Sequence, residues 1–170
     1  MRLRKKKSLV LFFLCVIIPM YTLNAESSDS TTESEIIVLN EPFYVESFKD
    51  TVAKPEPQNQ SVTQTITAKG IINGSLNVNT EINATKTWIN NDTAYIQGNA
   101  KFVSDNEDVA SYDFEAITSY KPDGTFEDRG TAIFSDHATG GLSFLSNAVA
   151  VYKENVDSSG NSIFLMWQWK

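Results

Sequence analysis

The sequence predicts an all-β protein whose main domain is a small antiparallel barrel of seven or eight strands, with a β-sandwich as the alternative. Three observations support this fold class: apolar and polar residues alternate with a period of two, turn signals recur between the alternating stretches, and glycines stand in or beside them. Alternation is typical of half-buried strands, and regularly spaced turns indicate antiparallel pairing. Because glycines often mark the bends that a small closed sheet requires, a barrel is favoured.

Residues 93–103 give the clearest strand. Ala94, Ile96, Gly98, Ala100 and Phe102 share one face, and Thr93, Tyr95, Gln97, Asn99 and Lys101 share the other. Residues 107–120 repeat this pattern, and the turn sequence 121–124, Lys-Pro-Asp-Gly, returns the chain as a hairpin over 125–135.

The remaining strands are predicted on both sides of this hairpin. Asn73-Gly74 is a strong hairpin signal between 65–72 and 75–82, and 85–89 and 162–170 are further strands. Residues 141–153 are ambiguous, because Leu142, Leu145 and Val149 also fit helical spacing. A bent strand is favoured there.

Residues 1–25 have the features of a secretory signal peptide. Five basic residues within the first seven precede an uninterrupted apolar run over 9–18. Cleavage after Ala25 would remove Cys15, the only cysteine, so the mature chain would contain no disulfide. We therefore expect a protein that is secreted or held at the cell surface; an uncleaved membrane anchor is the less favoured alternative.

Two regions are expected after the signal. Residues 26–61 are acidic and rich in Ser, Thr and Pro, which predicts a flexible segment with a possible edge strand at 36–48. Residues 62–170 are enough for a single antiparallel β domain.

The charge balance excludes some partners. Loss of residues 1–25 removes five of the 14 basic residues and none of the 21 acidic ones, which leaves a net charge of −12. Nucleic acids and anionic membranes attract clustered basic charge, so neither is expected as a partner, and no membrane contact is predicted beyond the signal segment.

No catalytic, metal or cofactor site is predicted. His137 is the only histidine and lies in a turn sequence, so a multi-histidine zinc site is excluded. Asp113 and Glu115 lie on the polar face of their strand and are expected to be exposed. The acidic stretches 105–108 and 157–161 match turns better than calcium loops.

Asp128 is the one unusual acid. Strict alternation from Phe126 to Gly130 would point its side chain inward, where it would be a candidate for ligand contact or catalysis. A bulge at Arg129 and Gly130 would turn the side chain outward, and this outcome is favoured.

Aromatic residues dominate the faces that are expected to be interior. Such residues either fill the centre of a barrel or line a pocket for one small apolar molecule, and filling is the default. The candidate interior, ligand-binding residues are Tyr112, Phe114, Phe126, Asp128, Phe144, Trp167 and Trp169. Four Asn-X-Ser/Thr sequences make Asn59, Asn73, Asn83 and Asn91 candidate glycosylation sites.

Several segments together resemble small, uncharacterised exported proteins of archaea. They are the run from Gly130 to Phe134, the run from Ala138 to Asn147, the sequence Val-Tyr-Lys-Glu at 151–154 and the closing sequence Trp-Gln-Trp-Lys at 167–170. The resemblance covers about residues 65–170, and the strand plan is also similar to the barrels of the allene oxide cyclase, dirigent and lipocalin-like groups. What it implies is the fold more than the function.

Three functions compete at this point. The first is an exported, non-catalytic barrel that binds a small apolar ligand, and the second is a cell-surface structural or adhesion module with a solid interior. The third is a barrel enzyme of the isomerase or cyclase type, which would need Asp128 or His137 to face inward. An open interior would separate the first function from the second.

Overall fold

The computed structural model describes residues 39, 41–49 and 61–170, which form a closed barrel of eight antiparallel strands. The strands are β1 (Tyr44–Lys49), β2 (Ser61–Ile72), β3 (Leu76–Trp88), β4 (Thr93–Ser104), β5 (Val109–Tyr120), β6 (Phe126–Phe134), β7 (Val149–Val156) and β8 (Asn161–Trp169). A 3₁₀ helix, Gly140–Leu145, lies between β6 and β7. The predicted antiparallel barrel is thus confirmed. The expected signal peptide, residues 26–38, 40 and 50–60, and Asn59 lie outside the described residues.

Each strand pairs with the next one along the chain, and β1 closes the barrel by pairing with β8. Five of the described connections between strands are turns of three to five residues. In the turn between β2 and β3, Asn73 and Gly74 both have positive φ, 49° and 70°, a conformation that asparagine and glycine favour, and the loop contains three residues because Ile72 pairs with Leu76. The Asn73-Gly74 hairpin was therefore correctly read from the sequence.

β1 comes from the segment in which a possible edge strand was expected. It is not an edge, because it lies between β8 and β2. Its pairing with β2, however, covers only Tyr44, Val45 and Glu46, whereas its pairing with β8 covers all of Tyr44–Lys49. In the described part of the chain, residues 61–69 of β2 pair with β3 alone. We call this partly paired boundary the β1–β2 seam.

β3 is one strand where the sequence pattern predicted two. Its register with β2 runs without interruption from Leu76 to Thr87. Asn83, at the expected break, faces outward and accepts a hydrogen bond from Thr65 Oγ1 at 2.9 Å. Asn83 Nδ2 in turn donates to Asn99 Oδ1 at 3.3 Å. This polar ladder across the outer face supports the strand at the point where its apolar pattern is weakest.

The bent strand expected to start near residue 142 begins only at Val149, and the chain before it forms the 3₁₀ helix. Leu142 and Leu145 are fully buried, and their spacing of three places them on one side of a helix with three residues per turn. The backbone N–H of Gly141 donates to Asp108 Oδ2 at 2.9 Å, which holds the helix against the start of β5. The helix thus covers one end of the barrel, here called the plugged end.

The interior at the plugged end is solid. Leu142 and Leu145 belong to the same buried cluster as Phe43, Phe102 and Phe134. The aromatic rings pack in tilted or edge-on contacts, with centroids 6.0 Å apart for Phe102 and Phe134 and 6.2 Å apart for Phe43 and Phe134. Among the described residues, no helix is long and apolar enough to cross a membrane.

Candidate ligand cavity

The other end of the barrel, here called the open end, is bounded by the turns at 89–92, 121–125 and 157–160. Inside this half lies a cavity of about 340 Å³. It is lined by Tyr44, Glu46, Phe48, Gln64, Ile66, Thr80, Ile82, Ala84, Lys86, Ile96, Tyr112, Phe114, Phe126, Asp128, Tyr152, Glu154 and Phe164. All of them have even numbers, because alternation keeps one phase of each strand inside the barrel and the registers pair even-numbered residues with even-numbered residues.

Two of the lining side chains are accessible at the β1–β2 seam. Gln64, which lines the cavity from β2, is exposed, and Phe48, which lines it from β1, is only half-buried. Neither residue lies in the part of the two strands that pair with each other. Among the described residues, the cavity is therefore least enclosed at the seam, beside the open end.

Three side chains form the floor of the cavity. Tyr44 Oη donates a short hydrogen bond to Glu46 Oε2, and Tyr44 Oη and Thr80 Oγ1 lie 2.8 Å apart in a second hydrogen bond. All three residues are buried. Burial raises the pKa of Glu46 from 4.5 to about 7, because desolvation penalises the carboxylate, and the hydrogen bond from Tyr44 opposes part of this rise. Glu46 is thus poised to exchange a proton near neutral pH.

Two glycines position Tyr44, in the floor, and Tyr152, which also lines the cavity. A Cβ at Gly70 would lie 2.3 Å from the ring of Tyr44, and a Cβ at Gly130 would lie 2.4 Å from the ring of Tyr152. Each tyrosine therefore lies flat on a glycine of a neighbouring strand. Burial raises the pKa of both phenols well above the ordinary value, so both remain protonated donors, and the Glu46 and Asp128 carboxyls respectively reinforce the rise.

One wall of the cavity is acidic. Asp128 on β6 and Glu154 on β7 are direct cross-strand partners, and Phe164 on β8 lies between Glu154 and Glu46 in the same row. Asp128 is 8% exposed and Glu46 5% exposed. Ser162 Oγ donates to Glu154 Oε1 at 2.5 Å, which fixes that carboxyl on the wall.

The facing wall is apolar. Ile66, Ile82, Ala84 and Ile96 from β2, β3 and β4 line it, together with Phe114 from β5. The cavity therefore has two chemically different sides, with three carboxyl groups on β1, β6 and β7 opposite a mainly hydrocarbon surface on β2 to β5, which also includes the polar side chains of Gln64, Thr80, Lys86 and Tyr112.

Lys86, Trp88 and Tyr120 form the rim at the open end. Lys86 Nζ donates to Tyr120 Oη at 2.7 Å and lies 5.5 Å from the centroid of the Tyr120 ring, and the rings of Trp88 and Tyr120 are 4.8 Å apart. Because β3 and β5 are not neighbours, these contacts reach over β4 across the mouth of the barrel. They hold the ammonium group of Lys86 at the rim.

Of the candidate interior residues, Tyr112, Phe114, Phe126 and Asp128 line the cavity. The prediction of a bulge at Arg129 and Gly130 is wrong. No bulge forms there, since the pairing of β6 with β5 and β7 is continuous. On the outer face, Glu127 forms ion pairs with Arg129 on its own strand and, at 2.8 Å, with Lys153 on β7, while Asp128 faces the cavity.

The interior positions expected for Trp167, Trp169 and Phe144 are wrong. Trp169 is 50% exposed, and Trp167 shares its outward phase, because the inward residues of β8 are Ser162, Phe164 and Met166. Phe144 lies in the 3₁₀ helix rather than in a strand, and its ring packs edge-on against Phe43 at 5.9 Å.

Sequence reasoning missed Glu46, Glu154 and Lys86 as cavity residues. Glu154 was detectable, because it continues the even-numbered apolar phase of Ala150, Tyr152 and Val156. Glu46 was not, because β1 was expected only as a possible edge strand, which gave no reason to place its side chain inside the barrel.

The other polar candidates lie away from the cavity. His137 Nε2 contacts Asp136 Oδ1 at 3.1 Å, and both side chains are exposed. Glu115 accepts a hydrogen bond from Tyr95 Oη at 2.9 Å on the outer face, in an outer groove of about 650 Å³ that also includes Asp113. Asn73, Asn83 and Asn91 are exposed.

The described residues contain no group of three or more His, Cys, Asp and Glu side chains that could hold a metal ion. In the 157–161 turn, Asp157 instead accepts hydrogen bonds from the backbone N–H groups of Ser159 at 2.8 Å and Asn161 at 2.9 Å. The carboxylate therefore stabilises the turn itself.

The fold and the cavity define a class: a small antiparallel β-barrel with one plugged end and a two-sided internal cavity. Comparison of the chain with models of known protein families, with curated proteins and with solved structures finds no match.

Proposed function

We propose that this protein is an exported, non-catalytic barrel that binds one small, mainly apolar molecule in its interior. The observation that supports the proposal is the cavity of about 340 Å³ between the floor of Tyr44, Glu46 and Thr80 and the open end. Ligand pockets commonly begin at about 300 Å³ and are lined mostly by apolar side chains with a few polar groups. At the packing density of protein interiors, a space of this size accommodates about a dozen non-hydrogen atoms.

The sequence supports the exported location. Basic residues followed by an apolar run at 1–25 are typical of a signal peptide, and the acidic composition of the remainder suits a protein outside the cytoplasm. Mass spectrometry of protein collected from the medium or the cell surface tests this, with loss of residues 1–25 as the expected result. The same spectra would show whether Asn73, Asn83 or Asn91 is glycosylated.

Titration with an apolar fluorescent probe, excited through tryptophan, tests binding. Trp88 stands at the rim and would transfer energy to a probe in the cavity, whereas Trp167 and Trp169 face outward. The expected result is saturable transfer at one probe per chain. No transfer to a protein that unfolds cooperatively would contradict the proposal.

A matched pair of variants locates the bound probe. Ala84 is buried on the apolar wall, so Ala84→Phe should fill the cavity and abolish transfer. Thr67→Phe adds the same ring to the exposed outer face of β2 and should leave transfer unchanged. Equal loss in both variants would show that the probe binds elsewhere.

A surface module is the second candidate function, and an outer apolar row favours it. Ile133, Val149 and Trp169 are consecutive cross-strand partners on β6, β7 and β8, with exposures of 63%, 38% and 50%. Exposed apolar patches often mark interaction sites. If the barrel binds no probe, sedimentation of the wild type against Ile133→Glu would test this face, with association lost in the variant.

A further inference from the structure

The inner part of the cavity holds a hydrogen-bond donor and a hydrogen-bond acceptor that the described part of the chain leaves without a partner. They are the Tyr112 hydroxyl on β5 and one carboxyl oxygen of Glu46 on β1, and both residues line the cavity. Building on the proposed function, we propose that the ligand is an uncharged apolar molecule that ends in a hydroxyl group. This hydroxyl accepts a hydrogen bond from Tyr112 and donates one to Glu46.

Tyr112 supplies the donor. The residue is only 6% exposed, and its ring packs against Phe102 and Phe134, with centroids 5.1 Å and 4.8 Å away. Burial raises the pKa of the phenol well above its ordinary value, and the Glu46 carboxyl adds to this rise, so the hydroxyl keeps its proton. Among the described residues, Tyr112 Oη makes no hydrogen bond. Since a buried tyrosine hydroxyl usually has a partner, this one is suited to a partner from outside the chain.

Glu46 supplies the acceptor. Its Oε2 accepts the hydrogen bond from Tyr44, and Tyr44 Oη is bonded in turn to Thr80. Within the part of the chain that the structure describes, the bond from Tyr44 is the only hydrogen bond to this carboxyl group. A carboxylate accepts at both oxygens, so Oε1 is available to a donor on a ligand.

Aromatic packing beneath the floor holds the two groups near each other. The Phe102 ring is fully buried and contacts both tyrosines, with centroids 4.7 Å from Tyr44 and 5.1 Å from Tyr112. The influence of the Glu46 charge on the pKa of Tyr112 also requires that the two groups be close. A ligand atom between them can therefore meet both.

A hydroxyl group matches this pair with a single atom, because it both donates and accepts. An ammonium group only donates, so it would leave Tyr112 without a partner. An ether oxygen only accepts, so it would leave Glu46 without one, and a carboxylate would also place a second negative charge beside Glu46. Each buried polar group left unpaired costs its desolvation penalty, which favours the hydroxyl over these alternatives.

The test compares three uncharged probes of the same size: 1-naphthylmethanol, which donates and accepts, 1-methoxynaphthalene, which only accepts, and 1-ethylnaphthalene, which does neither. Each has about the dozen non-hydrogen atoms that the cavity accommodates. Equilibrium dialysis at about pH 8, read by naphthalene absorbance, should show the alcohol binding at least about tenfold more tightly than either analogue. A group that displaces water without replacing its hydrogen bonds loses affinity, which is the reason for the difference.

Two variants, each with a matched control, locate the effect. Tyr112→Phe keeps the ring and removes the donor, so the advantage of the alcohol over the ethyl compound should fall about fivefold. Tyr95→Phe removes a hydroxyl from the outer face of β4 and should leave that advantage unchanged. Glu46→Gln replaces the charged acceptor by a neutral amide and should also reduce the advantage, whereas Glu81→Gln, at an exposed position of β3, should not. An equal loss in either control would overturn the inference.

The three probes also separate the inference from the proposed function without any variant. If the ether or the ethyl compound binds as tightly as the alcohol, the inference is overturned while the binding function stands. If no probe binds to a protein that unfolds cooperatively, the binding function itself fails, and the inference fails with it.

Discussion

Glu46 should make the barrel less stable as the pH rises from acidic to neutral values, and Glu46→Gln should remove that dependence. In the folded protein, burial raises the pKa of Glu46 from 4.5 to about 7. Between these two values the folded state retains a proton that the unfolded state has released, so stability falls as the pH rises. Above the pKa that Glu46 has in the folded protein, the loss of stability is complete, and below about pH 4.5 there is no loss.

The size of the effect follows from the two pKa values. Each pK unit corresponds to about 1.4 kcal/mol, so a pKa near 7 against 4.5 gives a loss of about 3 kcal/mol across the window. Glutamine is neutral at every pH and can still accept the hydrogen bond from Tyr44. The variant should therefore match the wild type at about pH 4.5 and exceed its stability by up to about 3 kcal/mol at about pH 8.

Urea unfolding followed by tryptophan fluorescence measures the difference at each pH. Glu81→Gln, on the outer face, should keep the wild-type slope. Glu127, whose pKa is lowered by Lys153 and Arg129, acts in the opposite direction: its contribution is present at higher pH and lost as the pH falls below the ordinary range of glutamate. A wild-type stability that stays level or rises between about pH 5 and 8, or an equal fall in Glu46→Gln, would refute the reasoning.

Three other substitutions test the plugged end and the bend of the sheet. Leu142→Ala should cost about 3 kcal/mol of unfolding free energy, because it leaves a cavity under the 3₁₀ helix, and unchanged urea midpoints would contradict this. Asp108→Ala should cost about 1 kcal/mol and speed proteolysis at 140–145, since it removes the acceptor for Gly141; an unchanged cleavage rate would count against that role. Gly98→Ala should cost at least about 2 kcal/mol, because its Cβ would lie 2.0 Å from the carbonyl oxygen of Asn83, and thermal unfolding at the wild-type temperature would disprove the close approach.

The barrel was predictable because most of its strands bury one face only. On β4, Ala94, Ala100 and Phe102 are buried while Gln97 and Lys101 are exposed, so the contrast between faces is visible in the sequence. On β8 the contrast fails, because Ile163, Leu165 and Trp167 face outward while Phe164 and Met166 face inward. A strand that is apolar on both faces does not reveal its phase, and the tryptophans were assigned to the wrong side for this reason.

The candidate site was predictable only in part. The inward position of Asp128 follows from alternation, but whether a bulge reverses that position depends on the pairing of β6 with β5 and β7, which is continuous in the structure. The helical spacing of Leu142 and Leu145 was visible in the sequence, but the segment also fitted a bent strand. The helix covers the plugged end of the barrel, and the sequence alone does not show that this segment lies there. The floor formed by Tyr44, Glu46 and Thr80 joins β1 to β3, and it could not be predicted while β1 was expected only as a possible edge strand.

The closure of the barrel by β1 and β8 also sets an order of events during synthesis. Tyr44 pairs with Met166, so the contact that completes the sheet joins residues more than a hundred positions apart. Contacts of such long sequence separation form slowly, because the chain entropy of a large loop must be lost first. The cavity cannot exist until β8 has been synthesised and, in an exported chain, translocated. If the protein is exported and binds a ligand, as proposed, it would therefore acquire the ligand only after translocation.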